Sequence, residues 1–341
     1  STRFTSVVGT GPYILKEWKK GVGATLVKNK DFYIPDRPYP DGIDFQVIPD
    51  RGSILAAVRA KQLDYCYLEG NEVEEFEKLE GIQVVSGPYR HWGFLIYNCT
   101  RPALKDIRVR KAIDLAIDRQ GILKVVYYNK GKLNGPVPWC IEDYAIPQDE
   151  LLKRPGYRQP KDQDIAEAKK LLAGAGVSLP LKLKHVTTTP AAHLTYNQLS
   201  MALKDQLKSI DVELDLVIGD MGQIQAARTS GDFDTCAYVN GGADEIDEYL
   251  HGPHRTGQAR NVNRYSNKEV DEMLDKQRVL LDKNERKKLI LDIQRKLLDE
   301  VPSSWLAGPY TWAATQKYVK DFKPYAVWTR HAEIFDLWLD K

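Results

Sequence analysis

The first part of the chain alternates between apolar and polar positions, which is the pattern of half-buried β-strands. The segments YILKEW and ATLVKN are typical of two strands, and the intervening KKGVG is typical of a turn. Further on, GIDFQVI places Ile43, Phe45 and Val47 on one face of a third strand. The segment HWGFLIYN predicts another strand at residues 91–98. We therefore expect a β-rich first segment.

A helix with one apolar face follows this segment. Asp106 has a residue type that commonly caps a helix at its N-terminus. The apolar residues after it recur at the i, i+3, i+4, i+7, i+8 spacing of a buried stripe. They are Val109, Ala112, Ile113, Ala116 and Ile117.

In the middle of the chain, the two-residue alternation of strands and the roughly 3.6-residue spacing of helices follow each other in turn. Leu181 and Leu183 alternate with lysines, a leucine-rich helical pattern follows, and the alternation returns from Val212. A helix starting at Asp220 and a strand over 233–239 complete the series. Strands that alternate with helices at this spacing predict parallel pairing with right-handed crossovers.

Two capping boxes predict the starts of two consecutive helices near the C-terminal end. Ser266 with Glu269 forms the first, and Asp282 with Glu285 forms the second.

Composition narrows the class of protein. The chain has 341 residues, a length typical of about two domains. Lysine and arginine total 49 against 47 acids, so the formal charge is +2, which gives no support for a nucleic-acid partner. No apolar run approaches the length of a membrane span.

Motifs for catalysis, nucleotides and metals are weak. VGTGPY contains G-x-G, but Ile14 occupies the third glycine position and a strand follows instead of a helix. His251 and His254 lie in HGPH, where a proline and a turn-like composition argue against a metal site. No hydrolase, zincin or Walker-type motif occurs. We therefore expect no enzyme activity, no cofactor and no metal.

The four cysteines allow disulfides but do not assign them. Placement of Cys66 and Cys99 on neighbouring strands would predict that this pair is bonded, whereas four free thiols are the alternative. None of the cysteines forms a CxxC pair, which makes zinc binding unexpected.

The most specific stretch runs from residue 90 to residue 119. RHWGFLIYNCTRPALKDIRVRKAIDLAIDR gives a strand, an asparagine, a short loop and an Asp-capped helix that closes with Ala-Ile-Asp-Arg. This order resembles the family 5 extracellular solute-binding proteins, the peptide-type binders that serve ABC importers. Five further landmarks occur in the order of that family, at residues 8–33, 56–68, 157–177, 231–250 and 265–302.

The resemblance implies a fold and a function. The fold would be α/β and two-lobed, similar to periplasmic binding proteins of type II (the "Venus flytrap"), with residues 1–97 and 319–341 in lobe I and 98–318 in lobe II. Two crossings between lobes make a hinge that lets them close on a ligand. The function would be the solute-binding component of an ABC importer, which captures a peptide or similar small solute. It would act as a monomer with membrane permease subunits, in the periplasm or outside the cell, with or without a lipid anchor.

Other functions stay open. Some transcription regulators carry a family 5 domain as a ligand sensor behind a DNA-binding helix-turn-helix. An oligosaccharide or opine-type ligand is the alternative to a peptide. A hydrolase is disfavoured because its motifs are absent.

The resemblance also implies a ligand site. Asp244 matches the aspartate with which peptide-binding members hold the α-ammonium of the ligand, and a carboxylate in a closed cleft is weakly screened. Gly241 stands where many members have tryptophan, and Tyr238 stands where oligopeptide-binding members have arginine. These departures enlarge the pocket and remove a partner for a ligand carboxylate.

Aromatic residues complete the predicted site. Tyr89, Trp92 and Phe94 lie on the strand that enters the hinge, where family members line the cleft. Packing in a core is the alternative role for the face shared by Trp92 and Phe94.

Family members normally carry a long segment ahead of their Gly-Thr-Gly-Pro-Tyr strand, whereas Gly9 stands close to the start of this sequence. The resemblance therefore predicts that the sequence lacks the N-terminal portion and that lobe I is incomplete.

Overall fold

The structure, a computed structural model, describes residues 8–190, 194–241, 245–324, 334 and 336–341. The chain divides into two compact units, each considered by itself below. Unit 1 comprises Ser1–Tyr89 and Tyr310–Lys341, and unit 2 comprises Arg90–Pro309. The lobe boundaries expected from the sequence, at 97/98 and 318/319, stay a prediction. Among the described residues, every helix is too short or too polar to cross a lipid bilayer.

The strands of the described residues, in chain order, are β1 (Tyr13–Lys19), β2 (Gly23–Lys28), β3 (Gly42–Gln46), β4 (Tyr65–Leu68), β5 (Ile82–Pro88), β6 (His91–Tyr97), β7 (Gly131–Leu133), β8 (Leu181–Thr188), β9 (Val212–Gly219), β10 (Thr235–Gly241), β11 (Ser303–Trp305), β12 (Ala307–Gln316), β13 (Val319–Lys320) and β14 (Trp338–Leu339).

The helices are α1 (Arg51–Arg59), α2 (Val73–Phe76), α3 (Pro102–Lys105), α4 (Ile107–Ala116), α5 (Arg119–Tyr127), α6 (Gln148–Leu151), α7 (Asp162–Ala175), α8 (Leu194–Leu207), α9 (Met221–Ser230), α10 (His251–His254), α11 (Lys268–Val279) and α12 (Lys283–Glu300).

Unit 1 is built from antiparallel sheets. The three strands predicted there, β1, β2 and β3, are confirmed and pair antiparallel in that order, and β12 from Tyr310 onward pairs with β4 and β5. Ile43 and Phe45 are half-buried and pack against a cluster that contains Phe322. The prediction for Val47 is wrong, because β3 ends at Gln46 and Val47 is 53% exposed.

Unit 2 is built on a five-stranded sheet with the order β11–β6–β10–β8–β9. β8 pairs in parallel with both β9 and β10, so the predicted strand–helix–strand–helix–strand series is confirmed. α8 and α9 supply the crossovers that parallel neighbours require. β6 pairs antiparallel with β10 on one side and with β11 on the other.

The apolar stripe predicted after Asp106 forms part of the main core of unit 2. Its five residues are at most 3% exposed. Asp106 accepts a hydrogen bond from the backbone N–H of Arg108 at 2.8 Å, which confirms it as the N-cap of α4. α4 packs against α7, so the stripe joins two helices of the same unit.

The two predicted capping boxes differ in outcome. Asp282 caps α12, since its carboxylate accepts from the backbone N–H groups of Asn284 and Glu285, both at 2.9 Å. The prediction for Ser266 is wrong by one residue. Asn267 caps α11 because asparagine is an equally strong N-cap, and Ser266 bonds to a neighbouring loop instead.

All four cysteines are free thiols. The placement on which a Cys66–Cys99 bond depended is wrong. Cys66 lies on β4 in unit 1, whereas Cys99 follows β6 in unit 2.

Candidate ligand site in unit 2

Three aromatic side chains form a row across neighbouring strands of the unit 2 sheet. Tyr238 lies opposite Phe94 across the β10–β6 pair, and Trp305 lies opposite Phe94 across the β11–β6 pair. Residues directly opposite each other project from the same face of a sheet. The rings of Phe94 and Tyr238 meet edge to face, with centroids 5.9 Å apart. This row gives one face of the sheet an aromatic floor.

A cavity of about 210 Å³ lies over this floor. α9 forms one wall, and the segment 253–263 forms another. All of its lining residues belong to unit 2. An apolar floor with a few polar groups in the walls is the usual composition of a small-molecule site.

Arg228 is the charged group in the wall. The residue is only 8% exposed, although it lies near the end of a helix whose other residues are mostly exposed. Its guanidinium carbon sits 3.5 Å from the centroid of the Tyr238 ring, within the range of a cation–π contact. Nη1 donates a hydrogen bond to the side-chain oxygen of Gln225 at 3.1 Å. The buried Nε has no acceptor within the described part of the chain.

His254 is a buried polar group in the wall formed by the segment 253–263. It is 3% exposed, and its ring meets that of Trp305 with centroids 5.8 Å apart. Burial lowers the pKa of this imidazole to about 3, so it is neutral near pH 7. Its Nδ1 lacks a hydrogen-bond partner among the residues that the structure describes.

Ion pairs to the last two helices fix the loop that follows β10. Asp247 accepts from the side chain of Gln277 at 2.5 Å and pairs with Arg278 at 2.7 Å, both on α11. Glu245 pairs with Arg286 of α12 at 3.1 Å. These acids therefore hold the loop against the helices of unit 2.

The residues predicted for the site fall into four groups. Phe94 and Tyr238 are brought together on the aromatic floor. Gly241 ends β10 opposite the start of β6, and Trp92 lies on β6 opposite Asn240, with its side chain outside the described part. Half-buried Tyr89 follows β5 at the end of the first segment of unit 1. Asp244 lies outside the described residues.

Of the residues that line the cavity, sequence reasoning predicted only Phe94 and Tyr238, and it missed Arg228, His254 and Trp305 in particular. Arg228 carries no sequence signal, since nothing in the AARTS segment distinguishes it from a solvated helix residue. His254 was weighed only as a metal ligand paired with His251. In the structure, His251 contacts Asp275 instead, at 3.1 Å. Trp305 lies in a segment that no motif marked.

Within the described ranges, no group of three or more histidine, cysteine or acidic side chains is placed to hold a metal ion. The groups that line the cavity include the buried guanidinium of Arg228, the exposed guanidinium of Arg260, the neutral imidazole of His254, several uncharged polar side chains and aromatic rings. Chemically, this arrangement can bind an anion or an aromatic group.

Comparison with known proteins gives matches along most of the chain. Residues 1–254 match the family model described as "Bacterial extracellular solute-binding proteins, family 5 Middle". The oligopeptide-binding protein AppA of Bacillus subtilis is 24% identical over 334 residues, which cover 93% of this chain and 59% of AppA. The chain therefore spans less than two thirds of the length of this relative.

Solved structures give the same result for the fold. The putative peptide-binding protein AppA from Clostridium difficile superposes with a TM-score of 0.83 at 23% identity, covering 97% of this chain and 67% of that one. The periplasmic binding protein DppA from Helicobacter pylori, solved in complex with the peptide STSA, gives a TM-score of 0.80 at 24% identity, covering 98% and 63%. The predicted fold class, α/β of the two-lobed periplasmic-binding-protein type, is confirmed by this likeness.

Proposed function

We propose that this chain, which belongs to the bacterial extracellular solute-binding proteins of family 5, captures a peptide or a similar small solute and delivers it to an ABC importer. The relatives named for peptide binding support this proposal. The family is one of solute-binding proteins, which points away from an enzyme. We further propose that the whole protein works as a monomer, in the periplasm or outside the cell, with the permease subunits of the importer.

One observation supports the position of the peptide site. The last residue of β10, Gly241, pairs with His91, and Asn240 pairs with Trp92. β8, β9 and β10 run parallel, so their carboxyl ends share one edge of the sheet. Ligands of open α/β sheets collect at such an edge. Asp244 follows Gly241 by three residues, which supports its placement there.

We assign the central polar contact of this site to Asp244. Its carboxylate would accept a charge-assisted hydrogen bond from the α-ammonium of the peptide. Apolar parts of the ligand would contact aromatic side chains, and Gly241 would leave room for them. The aromatic residues that we assign to this role are Tyr89, Trp92, Phe94 and Tyr238.

Calorimetric titration with short peptides and their N-acetylated forms tests the proposal. A hydrogen bond to a charged group contributes roughly 1.5–3 kcal/mol, so Asp244→Ala should weaken binding of a free peptide about 10- to 100-fold. An N-acetylated peptide has no ammonium, and its affinity for the native protein should already be low and insensitive to this substitution.

Glu245→Ala is the matched control. Glu245 is the next residue and pairs with Arg286, so its removal should change the affinity less than about threefold. Equal affinities of the native protein and Asp244→Ala would contradict the role of Asp244. Failure of every peptide to bind the native protein would contradict the peptide as ligand.

A further inference from the structure

We infer that the cavity around Arg228 binds a carboxylate that is joined to an apolar or aromatic group. This site lies within unit 2 and shares Phe94 and Tyr238 with the site proposed for the peptide, whereas its charged group, Arg228, has no part in that proposal.

Arg228 is a buried cation without an anion. In the described part of the chain it forms no ion pair, and its guanidinium donates a single hydrogen bond, to the neutral Gln225. The other deeply buried arginines of unit 2 are saturated: Arg110, for example, donates to the carbonyl groups of Val301, Leu104 and Glu300 at 2.7–2.9 Å. A buried charge is costly unless it is paired and hydrogen-bonded. Arg228 therefore lacks the partner that a ligand could supply.

The contact with Tyr238 leaves the donor edge of the guanidinium available. The guanidinium carbon lies 3.5 Å from the ring centroid, so the aromatic face covers one face of the cation. The N–H groups of a guanidinium lie in its plane, in a fork that matches the two oxygens of a carboxylate. Nε, which has no described acceptor, belongs to this fork.

The floor and the second polar group favour an organic acid over an inorganic anion. Phe94, Tyr238 and Trp305 give the cavity an aromatic base on which an apolar group can pack. In the wall formed by the segment 253–263, His254 is buried with an unpartnered Nδ1, and a neutral imidazole can offer one hydrogen bond there. Phosphate would bring up to two negative charges to a single cation and no surface for the aromatic floor. A carboxylate with an apolar substituent matches both.

Titration of the native protein with benzoate, benzamide, acetate and inorganic phosphate tests the inference. Benzoate should bind measurably more tightly than the other three: benzamide lacks the charge, acetate lacks the ring and phosphate lacks both the ring and the shape. Two-dimensional NMR of the arginine Nε–Hε groups should show the Arg228 signal moving on addition of benzoate. Absence of saturable binding by benzoate would overturn the proposal.

Three variants identify the residue responsible. Arg228→Met removes the charge at similar volume and should weaken benzoate binding about 10- to 100-fold. Arg228→Lys keeps the charge without the fork and should give an intermediate loss. Arg295→Met is the control, because Arg295 is an ion-paired arginine of unit 2 that contacts Glu150 at 2.8 Å and is not among the residues lining the cavity; its effect should stay below about twofold.

The variants also separate a binding role from a structural one. Thermal unfolding of Arg228→Met and Arg228→Lys establishes that each variant is folded before titration. If the methionine variant is not folded, the inference is tested with the lysine variant alone. Undiminished benzoate binding in Arg228→Lys and Arg228→Met, or a larger loss in Arg295→Met, would overturn the assignment.

A last comparison identifies the source of the carboxylate. A tripeptide with a free C-terminus is compared with the same tripeptide amidated at its C-terminus. Displacement of benzoate by the free form and not by the amidated form would assign the site to the end of a peptide. Binding of benzoate that neither peptide displaces would assign it to a separate small acid. Both results support a carboxylate site, whereas stronger displacement by the amidated peptide than by the free one would contradict it.

Discussion

Replacing Arg119 by methionine is expected to destabilise unit 2 by about 3–5 kcal/mol. The side chain is completely buried, and its guanidinium stacks on the ring of Tyr157 at 4.0 Å. Nε donates to the carbonyl oxygen of Trp305 at 2.7 Å, and Nη1 donates to the carbonyl oxygens of Gly156 at 2.7 Å and Asp114 at 3.1 Å. Nη2 pairs with the carboxylate of Asp114. A methionine fills most of the volume but supplies none of these donors.

The size of the effect follows from the groups left behind. The carboxylate of Asp114, only 14% exposed, loses its cation, and breaking one side of a buried pair typically costs about 3–5 kcal/mol. The Gly156 carbonyl keeps another donor, because the Lys161 ammonium lies 3.1 Å from its oxygen. The Tyr157 hydroxyl donates its one proton to the carbonyl of Asn134 at 2.8 Å, so it does not replace the donor that the Trp305 carbonyl loses. We therefore expect the loss of the ion pair to dominate and the loss of the carbonyl contacts to add a smaller amount.

Urea unfolding and calorimetry measure the effect. A loss of this size should lower the melting temperature of unit 2 by about 6–20 °C. Lys153→Met is the control, because Lys153 and Asp149 form a pair 3.7 Å apart with both side chains about 80% exposed, and exposed pairs contribute little. Asp114→Asn in the Arg119→Met background should recover about 1–3 kcal/mol, since it removes the stranded charge. Equal stabilities of Arg119→Met and Lys153→Met would refute the reasoning.

Two further predictions concern titratable groups. The buried imidazole of His185, held between Thr235 at 2.8 Å and Ser200 at 2.9 Å, has its pKa lowered by burial from 6.5 to about 3. As the pH falls below 6.5, the unfolded chain binds a proton at this histidine before the folded protein does. The contribution of the neutral imidazole to the free energy of unfolding is therefore complete above pH 6.5 and falls by about 1.4 kcal/mol per pH unit towards pH 3. His185→Gln should flatten the pH dependence of urea unfolding between pH 6 and pH 4 by that amount, and an unaltered slope would argue against a neutral buried histidine. Burial also raises the thiol pKa values of all four cysteines, so iodoacetamide at pH 8 should label the native protein slowly. After denaturation it should label four sites, and mass spectrometry would reveal fewer labelled sites if a disulfide existed. The pKa values are about 11 for Cys66, Cys99 and Cys140 and about 12 for Cys236.

Much of the fold could be predicted from the sequence because its signals are local. Alternation over a few residues predicted β3 and β8, and the apolar spacing after Asp106 predicted the buried face of α4. Errors arose where two neighbours satisfy the same rule. Ser266 and Asn267 are both good N-caps, and only the path of the preceding loop selects the second.

The candidate site was less predictable because tertiary pairing creates it. Phe94 and Tyr238 were predicted to be site residues, but their contact depends on the register of β6 and β10, which no local pattern encodes. Trp305 joins them through a third strand more than 60 residues beyond Tyr238 along the chain. The burial of Arg228 depends in turn on the position of the Tyr238 ring beneath it. When the surroundings of a residue come from distant segments of the chain, the sequence next to that residue carries no signal of its burial or contacts.

Two buried arginines of unit 2, Arg119 and Arg228, differ in the number of hydrogen-bond acceptors around the guanidinium. Arg119 and Arg228 are both at least nine-tenths buried, and each stacks on a tyrosine ring. Arg119 has carbonyl and carboxylate acceptors around its guanidinium. Removing it leaves the largely buried carboxylate of Asp114 without a cation and should destabilise the fold. Arg228 has one neutral acceptor among the described residues, so removing it strands no charge, and the stability of Arg228→Met should change far less than that of Arg119→Met. A buried cation whose removal weakens binding of an anion without weakening the fold is held in place for its ligand.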